Sequence, residues 1–199
     1  MDQTLTKILQ AASENPAYQA VANYLMSRRA MPEMQVGGTQ HYGSFSTPGL
    51  FSGNSVPDRG LLKITGSAQY ADPNLVAPTM THESTHAAER QMIKQYYELK
   101  DKPNKTDLEK QFLGNFQKII GAQEPEITKW INKVAPGFND SYRTRSNEAL
   151  AFGVENAAFP NAPSNYQAPA HIDPTIATQF QLLLDQAQKV QDQQPPKGR

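Results

Sequence analysis

Cysteine is missing from all 199 residues. That absence removes disulfides, thiolate zinc sites, iron–sulfur clusters and cysteine nucleophiles, so any metal must be held by His, Asp or Glu. Net charge is missing as well, because 19 Lys+Arg balance 19 Asp+Glu. Nothing global therefore attracts nucleic acid or an anionic membrane. No window approaches the roughly 20 apolar residues of a membrane span. The first dozen residues lack the long apolar core and the small-residue cleavage site of a secretory signal. The expected setting is a cytoplasm, or delivery by a route that uses no signal peptide, such as a bacteriophage particle or effector secretion. The P-loop, the Gly-x-Gly-x-x-Gly turn and the Gly-x-Ser-x-Gly elbow are also lacking, as is a basic-aromatic stripe for nucleic acid.

Leu, Ile, Val and Phe make up only about a fifth of the chain, near the edge where disorder sets in. Fifteen prolines and twelve glycines then point to a compact helical core carrying long irregular loops. Leu5, Ile8, Leu9 and Ala12, followed by Tyr18, Val21, Ala22, Leu25 and Met26, recur at three- and four-residue intervals, the mark of amphipathic helix. Asn15-Pro16 breaks and restarts the pattern. Residues 31–60 lose it and read as a long loop with a short strand around Gln35 to Phe45, and Leu61 to Thr65 reads as a strand at a sheet edge. The longest helix is expected from Pro78 to Leu99. Further helices are expected over Thr106 to Ile120, stopped by Gly121, over Glu126 to Val134, over Ser141 to Asn156, and from Ile176 onward. The whole reads as one mainly helical α+β domain over 1–190, with loops at 31–60 and 157–172 and a flexible tail at 191–199.

His82-Glu83-Ser84-Thr85-His86 is an H-E-x-x-H motif inside the longest predicted helix. Residues four apart differ by about 40° around a helix and about 6 Å along it, so both imidazoles project toward a common point and can ligate one metal. Glu83 lies about 100° round from His82, beside the place where a metal-bound water would sit, and its natural role is general base. With four His in 199 residues, chance would produce the pattern on the order of 0.004 times in such a chain.

Thr79, Met80, Thr81, Ser84, Thr85, Ala87 and Ala88 surround the motif without charge, and in this the segment resembles the zincin metallopeptidases. The resemblance implies a zincin-like domain with a small sheet beside the H-E-x-x-H helix, one Zn²⁺ held by three protein ligands, and hydrolysis of a peptide or protein substrate. The metzincin continuation is excluded, because Glu89 and Met92 stand where it needs Gly and His. His41 and His171 lie in loops. Glu148, in Asn147-Glu148-Ala149-Leu150-Ala151-Phe152, shares a helical face with Ala151 and Phe152. This segment is similar to the third-ligand helix of the gluzincins, which implies His82, His86 and Glu148 as metal ligands. Phe152 stands where gluzincins place an acid that supports a ligand histidine. Glu109 and Asp140 remain rival ligands, the first reading otherwise as surface and the second as a helix cap. Tyr142 is the candidate donor to the oxyanion, with Arg143, Arg145 and His171 as alternatives. The contrasting expectation is a non-catalytic phage-particle or interaction protein with a structural or vestigial zinc site.

Overall fold

The computed structural model describes residues 3–37, 43–46, 60–64, 73–134, 145–161 and 175–193. It is mostly helical with one small sheet. Helices α1 (Gln3–Ser13) and α2 (Pro16–Ser27) meet at Asn15, whose side chain accepts the Ala17 N–H at 2.9 Å while Pro16 opens the second helix. The Asn15 amide also donates to the Ala158 carbonyl at 2.6 Å, which ties this corner to a distant helix end.

Three four-residue strands follow: β1 (Glu33–Val36), β2 (Gly43–Ser46) and β3 (Leu61–Ile64). Their order is β1-β3-β2, with β1 parallel to β3 and β2 antiparallel to it, pairing Phe45 with Leu62 and Gly43 with Ile64. The Leu61–Ile64 strand is thus the centre of the sheet and not its edge. Leu61, Leu62 and Ile64 are buried, as a strand flanked on both sides should be. The 31–60 stretch, expected as a long loop with one short strand around Gln35 to Phe45, contributes both edge strands.

Four more helices follow among the described residues: α3 (Pro73–Lys100), α4 (Asp107–Val134), α5 (Arg145–Ala158) and α6 (Ile176–Asp192). Helix α3 begins earlier than the sequence predicts and keeps Pro78 inside it. Val76 and Ala77 are fully buried against Ile8, Leu62 and Ile64, and this packing holds the extra turn despite the lost backbone donor. The two helices expected over 106–134 form one, because the backbone of Gly121 stays helical; a helical glycine costs only about 1 kcal/mol. Helix α5 takes in the first two residues of the expected 157–172 loop and α6 runs two residues past the expected end of the domain, while residues 162–172 and 194–199 lie outside the described residues.

Two apolar clusters share α3. One joins α1, β3 and the start of α3; the other joins α2 to α6 around Tyr24, Phe112 and Phe180. Gln95 crosses the second, taking the Tyr24 hydroxyl proton at 2.9 Å and donating to the Ala187 carbonyl at 2.8 Å. Around its middle, α3 is buried except for the stripe Thr79, Glu83, His86 and Arg90, which is half-buried. Spacings of four, three and four place these residues on one helix face. No described helix is long and apolar enough to cross a membrane.

Candidate metal centre

Helix α3 is pinned between α5 and the sheet, and α5 packs along it more extensively than any other element. From α3, His82 and His86 project as expected of residues one turn apart. Their rings meet edge to face with centroids 4.8 Å apart and Nε2 atoms 3.1 Å apart. From α5, Glu148 brings one carboxylate oxygen to 3.1 Å from His82 Nε2 and the other to 3.4 Å from His86 Nε2. The three side chains form a group that could hold a metal ion. A tetrahedral ion with bonds of about 2.0–2.1 Å has ligand atoms about 3.3–3.4 Å apart; the two Nε2 atoms here are 3.1 Å apart, and one ligand atom from each of the three residues lies within 4.8 Å of the others. His82 is buried while His86 and Glu148 are half-buried, so the triangle opens on one side.

The other face of His82 is held by a residue that the sequence analysis missed. Nδ1 lies 3.0 Å from Glu155 Oε2, and Glu155 is buried. Glu155 follows Glu148 by seven residues, two helical turns, so both carboxylates face α3 from one side of α5. That seven-residue interval was the available signal. Phe152, at the place where an acid was expected, lies edge to face on the His82 ring with centroids 4.6 Å apart. The ring is therefore oriented by an aromatic contact and a carboxylate together. A carboxylate on the outer nitrogen fixes the tautomer that leaves Nε2 for a metal.

Charge at the site is balanced among these groups. Burial disfavours a charged His82, but hydrogen bonds to Glu148 and Glu155 and the nearby Glu83 charge override it and push the imidazole up to about 10. Burial would likewise raise the Glu148 carboxyl, yet its hydrogen bonds to His82 and His86 hold it well below the usual carboxylate range. A single His82 Nε2 proton cannot be directed at both Glu148 and the His86 nitrogen. A cation held among the three side chains would satisfy them together.

Glu83 sits on the half-buried stripe beside the triangle, near enough for the charges of His86, His82 and Glu148 to act on it. Burial raises its carboxyl, the two imidazoles oppose that, and the Phe45 backbone N–H donates to it. One turn beyond His86, Glu89 is buried, and burial pushes its carboxyl up to about 7 against the pull of His86 and with the repulsion of Glu148.

The rival ligands fare differently. Glu109 is not a surface residue but is buried at the start of α4. It accepts the Thr106 N–H at 2.8 Å, its own N–H reaches Thr106 Oγ1 at 3.3 Å, and Lys102 Nζ lies 2.6 Å from its other oxygen. This reciprocal capping box, together with the lysine, uses the carboxylate fully. Tyr142, Arg143, Asp140, His41 and His171 lie outside the described residues, as does the side chain of Arg145. No protein-family model, curated protein or solved structure matches this chain.

Proposed function

We propose that this chain is a zinc-dependent metallopeptidase with a zincin-like site, in which His82, His86 and Glu148 hold the ion and Glu83 is the general base. The observation that carries the reading is the convergence of two imidazole Nε2 atoms 3.1 Å apart with a carboxylate that brings one oxygen to 3.1 Å from His82 and its other oxygen to 3.4 Å from His86, drawn from two helices and backed by Glu155 on the outer nitrogen of His82. Two imidazoles and one carboxylate suit zinc, and three protein ligands leave a fourth position for chemistry. When bound, zinc supplies Lewis acidity that polarises a peptide carbonyl and acidifies water.

The chain's own residues supply the rest. Glu83 would remove the proton from the attacking water and return it to the departing amine, a role open to a carboxylate that lies beside both imidazoles. Glu155 and Phe152 keep His82 in position. The edge strand beside Glu83 is β2, so an extended substrate backbone would be held by strand addition there and not on Leu61–Ile64. Tyr142 keeps its proposed role as oxyanion donor, a contribution of about 3–4 kcal/mol where such donors have been removed in other enzymes.

The test is metal analysis of purified protein followed by a chelator-sensitive peptidase assay on a mixed peptide library. One equivalent of zinc with cleavage is expected, and Glu83→Gln should keep the zinc while turnover falls by a factor of 10² or more. His86→Ala and Glu148→Ala should both lower the zinc content. Full activity in Glu83→Gln would end the mechanism, and full zinc with full activity in Glu148→Ala would remove the third ligand. Zinc retained with no cleavage by the wild type would favour a structural site.

A further inference from the structure

Strand β2 approaches α3 more closely than a side chain at position 43 would permit. A Cβ built on Gly43 would lie 2.6 Å from Thr79 Cγ2 and 3.1 Å from Glu83 Cγ, with the Lys63 carbonyl oxygen at 3.5 Å. The first separation is shorter than Cβ atoms tolerate, and the second is tight. Gly43 is not among the residues with positive φ, unlike Gly37 and Gly60, so its backbone does not demand glycine. Space alone accounts for the residue, the second reason that glycine occurs within a strand.

The two atoms that a Cβ would strike belong to residues four apart on the half-buried stripe of α3, and one of them is the proposed base. Two residues along the same strand, the Phe45 backbone N–H donates to the Glu83 carboxylate. Glu83 is thus held at two points: its methylene against the bare backbone of Gly43, and its carboxylate on the amide of Phe45.

We propose that Gly43 is a positioning residue for the general base: lacking a side chain, it lets β2 seat against Thr79 so that the Phe45 amide can hold the Glu83 carboxylate beside His82, His86 and Glu148. The role in turnover rests on the metallopeptidase reading, whereas the clamp itself does not. Restoring a methyl at 43 moves the strand outward and releases the carboxylate, while the metal ligands on α3 and α5 stay where they are.

The experiment uses the full chain loaded with zinc. Gly43→Ala should retain one equivalent of zinc and a KM within about threefold of wild type, while kcat falls about 10- to 100-fold, the scale of a misplacement near 1 Å. Thr79→Ser removes Cγ2 alone, so the double variant Gly43→Ala/Thr79→Ser should recover most of the lost kcat. A readout independent of turnover is the Phe45 amide resonance. Glu83→Gln should shift it in the wild-type background, leave it unmoved in the Gly43→Ala background, and shift it again once Thr79→Ser is added. Wild-type kcat in Gly43→Ala overturns the proposal, as does a loss of kcat that Thr79→Ser does not restore. If Gly43→Ala fails to fold, the wild-type background alone decides: a Phe45 amide indifferent to Glu83→Gln overturns the clamp. A wild type that cleaves no peptide but shows the expected amide pattern refutes the metallopeptidase reading and leaves the clamp standing.

Discussion

Replacing Glu155 with Gln removes a negative charge 3.0 Å from His82 Nδ1 while keeping an amide oxygen able to accept the same N–H. Replacing it with Ala removes both. Support of this kind behind a metal-bound imidazole is worth about 10- to 100-fold in metal affinity, or about 1.4–2.7 kcal/mol. Because Gln preserves the acceptor, Glu155→Gln should fall near the lower figure and Glu155→Ala near the upper. Ala also leaves a buried N–H with no partner, at a cost of about 1–3 kcal/mol in stability. The size of the effect should depend on pH. In the metal-free chain Glu155 also favours the charged His82, which is pushed up to about 10, and so strengthens the proton that a metal must displace. Without Glu155 that proton leaves at lower pH, so the variant gains less affinity on going from pH 7 to 9 than the wild type does. The ratio of the two dissociation constants should therefore widen over this interval. Competition against a chromophoric chelator measures both constants. A wild-type affinity in Glu155→Ala, or a ratio that narrows with rising pH, would refute the supporting role. A loss as large as that of Glu148→Ala would instead make Glu155 a ligand.

The same charge balance predicts proton release. Zinc binding at pH 7 should expel at least one proton, that of His82, with affinity rising at least about tenfold per pH unit between pH 7 and about 10, and calorimetry in buffers of different ionisation heat would detect its absence. For folding, a histidine raised from 6.5 to about 10 contributes stability fully below 6.5 and loses it as pH rises through about 10; the melting temperature of the metal-free chain should decline across that window. At α4, Glu109→Gln should cost about 1 kcal/mol in urea unfolding at pH 7 through the weakened cap and the lost Lys102 pair. Burial opposes the Glu109 charge, but Lys102 and the Thr106 N–H outweigh it and depress the carboxyl. Its stabilisation is therefore present above 4.5 and lost as pH falls through the lower folded value, and the gap between variant and wild type should close there.

How far this site could be read from sequence depends on whether its signals were local. The H-E-x-x-H spacing and the face of Glu148 are both consequences of helical period, and the structure places these residues together. Glu155 obeys the same period, but seven residues away, and was missed because the acid was sought at Phe152. Glu109 shows the opposite failure: Thr106 and Glu109 have capping-box spacing, yet the apolar stripe around them suggested a plain surface helix. The strands are a different matter. Gly43–Ser46 has little strand propensity and becomes a strand because it pairs with Leu61–Ile64, a contact between distant segments that a local window does not contain. Pro78 within α3 and the continuous α4 reflect tertiary packing overriding weak local stop signals.

Four carboxyl groups, Glu83, Glu89, Glu148 and Glu155, crowd around two imidazoles in a site that is buried on one side and half-buried on the other. Left ionised, they would outnumber the positive charge available, and a buried excess of negative charge is costly. In the metal-free chain the balance is met by protons: His82 is driven toward imidazolium, and Glu83 and Glu89 are pushed upward by burial. A divalent ion held by His82, His86 and Glu148 would perform the same neutralisation with two positive charges, and would do so while freeing the His82 proton. The acid cluster would thus both strengthen the proton that a metal must displace and favour the doubly charged ion that replaces it. Such an ion would also favour an ionised Glu83, the state that the proposed base must have.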